Sequence, residues 1–188
     1  MSPNQGDNET KGKYTEDFQS WIDFFDRDVN LFVEILNHEE TPKPLKRIVA
    51  TGLNYLLKQM DIVPDHYKPI GIIDDCIVLR VLADIASDYN AELEPKLMKA
   101  MFKLANDCDR MREFLGDAYR PLENEVRLMM EREVRRRSPN AIVESERVRE
   151  DLLRDVEQEM AEYKAVAIED GERAERELLS YFKTKLGA

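Results

Sequence analysis

The chain has 188 residues, 36% of them charged and 43% apolar, with a formal net charge of −11 and only seven glycines and eight prolines. That length suits one domain, or one domain with a helical extension, and the profile favours helices over extended sheet. The acidic balance excludes a general nucleic-acid binder, which needs surplus Lys and Arg against phosphate, and disfavours docking on anionic lipid.

Residues 1–13, beginning MSPNQGDNETKG, are polar and lack the apolar stretch of a secretory signal, so a disordered leader is expected there. No run of about 18 apolar residues occurs, which predicts no membrane-spanning segment and a cytoplasmic protein. From Thr15, the residues Phe18, Trp21, Ile22, Phe25, Val29, Phe32, Val33 and Leu36 recur at three and four. They predict an amphipathic first helix whose aromatic stripe packs into the core. Its polar face is acidic, whereas an interfacial membrane helix would be rich in lysine. Pro42 and Pro44 reset the chain. Leu45, Ile48, Val49, Leu53, Leu56, Leu57 and Met60 then mark a second helix beginning near Pro44, with Gly52 permitting a close helix contact.

A third helix is predicted from Asp74 to Tyr89, apolar around most of its circumference and therefore central in a bundle. Cys76 on it, and Cys108 later, have no CxxC spacing or neighbouring histidine, so both are expected to be buried free thiols. A fourth helix runs from Glu94-Pro95 to about Leu115, where Gly116 offers a stop. A fifth follows Pro121 through Leu122, Val126, Met129, Met130 and Val134 to the Ser138-Pro139 step. Glu131 and Glu133 precede Arg135 and Arg137 by four residues, so the cluster with Arg132 and Arg136 is expected to be an ion-paired helix end rather than a phosphate site. Beyond it, Leu153, Val156, Met160, Tyr163 and Ala167 keep a three-four rhythm. This predicts a long C-terminal helix, interrupted at Gly171, that folds back on the bundle and is a candidate homodimer contact. The expectation is an all-α bundle of about five helices over residues 14–137 with a C-terminal helical extension over 138–188.

The most unusual stretch is Leu53–Leu82, which packs four aspartates, two prolines and a glycine between two apolar helical segments. Asp61, Asp65, Asp74 and Asp75 stand beside Ile62, Val63, Ile70, Ile72 and Ile73, so carboxylates and core-seeking side chains are forced together. The preferred reading makes the acids backbone organisers. Asp74 would be the N-cap of the third helix, worth about 1 kcal/mol relative to Ala, while Asp61 and Asp65 cap turns. The alternative is convergence of the four carboxylates on Mg²⁺ or another divalent cation, which needs only one or two protein carboxylates. Read from Asp61 as a calcium loop, the third position is Val63 and the twelfth Ile72, neither able to ligate. A DDxxD pyrophosphate pattern would need an acid where Val78 stands. Only His38 and His66 occur, outside any zinc pattern, and no GxSxG, Walker or GxGxxG motif is present. No catalytic residue and no cofactor are assigned, and His66 beside Asp65 is read as an exposed loop histidine.

Tyr55, Met60-Asp61-Ile62-Val63-Pro64-Asp65 and Pro69-Ile70-Gly71-Ile72-Ile73-Asp74-Asp75, set between two apolar helices, resemble the YkvA-like domain of unknown function over residues 48–82. The resemblance implies a helix-loop-helix unit in a short helical domain without an established biochemical activity. Family members often place a proline where this chain has Gln59, so the second helix is expected to run slightly longer. They often place an apolar pair where it has His66 and Tyr67, which makes this tip more polar. The function expected is that of a noncatalytic interaction or scaffolding module with an unidentified protein partner, docking through the acidic loop or the final helix. The alternative is a divalent-metal-dependent enzyme or ligand binder using the acidic loop 61–75.

Overall fold

Three-and-four apolar spacing runs along most of the chain, and among the described residues every regular element is helical. The computed structural model describes residues 11–57, 62–63, 68–89 and 93–187. The elements are α1 (Thr15–Asp23), α2 (Phe25–Asn37), α3 (Lys43–Tyr55), α4 (Ile70–Ser87), α5 (Pro95–Asn106) and α6 (Cys108–Leu115). A 3-10 turn (Gly116–Ala118), α7 (Tyr119–Met129), α8 (Pro139–Glu144), α9 (Glu146–Glu162) and α10 (Gly171–Leu186) complete them. No described helix is long and apolar enough to cross a membrane. Residues 1–10 of the expected leader lie outside the described residues.

The core is built around α4. Ile73, Cys76, Ile77, Val78, Leu79, Val81 and Leu82 are all without exposure, and α1, α2, α3, α5, α6, α7 and α10 pack around this helix. Burying each such aliphatic side chain is worth about 1.5–3 kcal/mol, so an all-round apolar helix is most stable at the centre. Gly52 on α3 makes the predicted close contact. A Cβ there would lie 2.8 Å from Phe32 Cε1 and 2.9 Å from Leu79 Cδ2, so α2, α3 and α4 meet at this position.

The helices are more numerous than the expected five or so, because several predicted ones break. The first predicted helix leaves helical geometry at Phe24 (φ −112°, ψ 11°), which turns α2 away from α1. The fourth divides at Asp107, and α6 carries the chain on to the Gly116 stop. α3 ends at Tyr55, short of the predicted end near Met60. Gln59 and Met60 themselves lie outside the described residues.

The basic cluster is not a helix end. α7 stops at Met129, and Val134 and Arg137 form an antiparallel bridge with Arg135 and Arg136 between them at φ 49° and 65°. Both central residues at positive φ are those of the tight turn that joins two extended strands. The expected pairs at four-residue spacing give way to longer-range ones. Glu131 pairs with Arg47, Arg132 with Glu125, and Arg137 with Asp155 at 2.7 Å. The turn is tied down by the Asn54 side-chain amide, which donates to the Arg137 carbonyl at 3.0 Å.

The long C-terminal helix is likewise replaced by α8, α9 and α10. Ser138 caps α8 and Ser145 caps α9, each accepting from a backbone amide three residues on. Between α9 and α10, residues 163–170 leave helical form and cross α1. Tyr163 donates its hydroxyl to the Ile22 carbonyl at 2.6 Å, and its ring meets Phe25 at 5.1 Å. The Gln19 amide donates to the Val166 carbonyl and accepts from the Ile168 N–H. These contacts satisfy backbone groups that a continuous helix would have paired internally. Gly171 opens α10 rather than interrupting a helix. Any Cβ there would collide with Thr15 at 1.9 Å, and α10 then buries Leu178 and Phe182 fully.

Candidate functional site

Tyr55 ends α3, Ile62 and Val63 lie in the connection, and Asp74 stands in the second turn of α4, so the predicted motif is assembled from three segments. Asp74 has no exposure. Its Oδ2 accepts the Tyr55 hydroxyl at 2.7 Å and the Val63 N–H at 3.0 Å, while the Tyr55 oxygen accepts from the Ile62 N–H at 3.2 Å. A buried polar group left without such partners would cost about 1–3 kcal/mol, so these bonds tie the three segments together. Around them Ile62, Val63, Ile70, Ile72 and Ile73 are buried, as the sequence predicted.

Asp74 is therefore not the N-cap of its helix. α4 begins at Ile70, with Pro69 at the cap position, because Ile70, Gly71, Ile72 and Ile73 bury their side chains as the first turn of the helix. The carboxylate organises a backbone amide, but one belonging to the connection. Asp75, one residue on, is half-buried. Asp61, Asp65 and His66 lie outside the described residues. Among the described residues no group of three or more His, Cys, Asp or Glu side chains could hold a metal ion, and of the four candidate ligands the described pair is Asp74 and Asp75. Cys76 and Cys108 are buried free thiols, as expected. Burial pushes both upward in pKa, Cys108 to about 12, so neither is a thiolate nucleophile near neutrality.

A second site was not found by sequence reasoning. Arg80, the sole basic residue of α4, is 2% exposed at the floor of a cleft of about 520 Å³ between α1 and α2 on one side and α5 on the other. Its Nε donates to Asp107 at 2.8 Å, Nη2 to Asp28 at 3.1 Å and Nη1 to the Cys76 carbonyl at 3.1 Å. The guanidinium lies 4.6 Å from the centroid of Trp21, the only tryptophan in the chain. Burial pushes the Asp28 carboxyl above its usual range, and the charges of Arg80 and Arg27 act against that shift. The available signal was the sole basic side chain of an apolar-rich helix, since a buried charge demands partners.

Trp21, Leu97 and Leu104 are buried around the Arg80 cluster at the cleft floor, and Phe24 on the rim is 47% exposed beneath the Arg27 guanidinium. A second depression, of about 460 Å³, lies on the α5 surface and shares Lys96, Ala100 and Lys103 with the first. Comparisons of the chain with protein-family models, with curated proteins and with solved structures find no match.

Proposed function

We propose that this chain is a noncatalytic, cytoplasmic interaction module of the YkvA-like kind, in which the motif braces the α3–α4 corner and a protein partner docks in the cleft beside α5. The cleft carries the reading: buried apolar side chains surround an Arg80 already paired with Asp28 and Asp107, and an exposed aromatic stands on the rim, the character of a contact surface. The brace supports it too, because Asp74 is engaged with Tyr55 and Val63. A divalent cation held by Asp61, Asp65, Asp74 and Asp75 is the competing reading, and at Asp74 Oδ2 it would have to displace one of those donors. Two buried thiols that form no disulfide accord with a reducing compartment. A homodimer through the C-terminal segment would use the outer side of α9, since Leu152 and Val156 are buried within the chain.

The test is site-specific photo-crosslinking of the full chain in its native cells, with the reactive residue at Phe24 or, on exposed α9, at Glu159. The expected outcome is a discrete adduct from position 24 alone. An adduct of twice the chain mass from position 159 would assign the homodimer instead, and no adduct from either position would overturn the docking reading.

A further inference from the structure

Charge around the cleft is unevenly available. Four carboxylates line it, and each is already engaged: Asp17 by Arg110 at 2.8 Å, Asp28 by Arg80 and Arg27, Asp107 by Arg80, and Glu34 by Lys96 at 3.8 Å. The last of these pairs joins two exposed side chains, so it is weak. Two of the three lysines of α5 are in the opposite condition. Lys99 and Lys103 are exposed and make no ion pair among the described residues, and α5 itself contains no acidic residue. In a chain of net charge −11, α5, like α3, carries only basic charged residues, and on α5 two of them are unpaired among the described residues. In the depression on α5, Phe102 is 46% exposed between Lys99 and Lys103, while Phe24 is exposed in the adjoining cleft, which shares Lys96 and Lys103 with it.

We infer that the partner's docking segment is an acidic amphipathic helix. Its apolar face would lie over Trp21, Leu97 and Phe24 while its carboxylates meet Lys96, Lys99 and Lys103. The inference rests on the docking reading given above. A helix laid along a groove between helices presents anchors at i, i+3, i+4 and i+7, which suits a cleft between α1, α2 and α5 that adjoins a second depression on α5. Complementary charge then selects an acidic partner over a basic one and speeds its approach. An anionic membrane is the less favoured occupant of the same lysines, because the whole chain is strongly acidic.

Selection from a display library of helical peptides, with outward positions randomised over all charges, tests this on the full-length chain. Enriched binders are expected to be acidic, to shift the emission of Trp21, and to lose affinity as salt rises. They are expected to bind the Lys99→Glu/Lys103→Glu variant at least about tenfold more weakly. Far-ultraviolet circular dichroism and melting of that variant establish that it is folded, and both surface positions are exposed enough to tolerate the change. Enrichment of neutral or basic peptides, with a crosslink still forming at position 24, would overturn the acidic partner while the docking reading stands. No enrichment and no crosslink would overturn both. Stronger binding to phosphatidylserine vesicles than to any selected peptide would overturn the inference in favour of a lipid surface.

Discussion

The hydroxyl of Tyr55 donates to Asp74 and accepts from the Ile62 amide, so one side chain joins α3, the connection and α4. Tyr55→Phe removes both interactions in a buried place, and the loss is expected to be about 1–3 kcal/mol in urea unfolding. Combined with Asp74→Asn, the two changes are expected to be non-additive by about 0.5–3 kcal/mol, because they share one hydrogen bond. Additive losses would show that the brace does not act as a unit. Arg80 makes a different demand. Asp28→Ala removes one partner of a guanidinium that is 2% exposed, and about 3–5 kcal/mol of destabilisation is expected by chemical denaturation. Both clusters depend on partners distant in sequence, 19 residues for Tyr55–Asp74 and 52 for Arg80–Asp28. Composition marked the first, since aspartates in an apolar stretch stand out. It did not mark the second, because no local spacing relates Arg80 to Asp28.

At the scale of elements, capping and close approach decide where helices stop. Gly52→Ala places a methyl 2.8 Å from Phe32 and 2.9 Å from Leu79, both in a packed core, and is expected to lower stability by about 1–3 kcal/mol. Arg136 at φ 65° has the opposite prospect. Left-handed geometry costs a non-glycine residue about 1–2 kcal/mol, and glycine's extra freedom in the unfolded chain returns part of that. Arg136→Gly should therefore raise the melting temperature by about 1–3 °C, as read by calorimetry. Sequence periodicity located the helical segments well but joined some that are separate. Nothing local breaks the pattern at Phe24, and the stretch 163–170 continues an apolar rhythm. Its non-helical course is held by Gln19 and Ile22 of α1, more than a hundred residues earlier.

For the whole molecule, the brace and the metal reading make opposite forecasts for stability. With Asp74 engaged by Tyr55 and Val63, millimolar Mg²⁺, Mn²⁺ or Ca²⁺ is expected to leave the melting temperature unchanged. A rise abolished by Asp61→Asn or Asp75→Asn would establish the metal site, since a ligand that binds only the folded state must stabilise it. The amino-acid sequence by itself determined that the chain is helical, that α4 lies at the centre, and that the isoleucines and valine of the motif are core residues. Those properties follow from the spacing of apolar side chains, which is local information. Only the tertiary structure decided that Asp74 serves an amide of the connection, that the C-terminal segment crosses α1 out of helical form, and that Arg80 lies beneath a cleft between α1, α2 and α5. Each of these depends on which distant groups satisfy a buried charge or a backbone hydrogen bond, and that pairing exists only once the helices have packed.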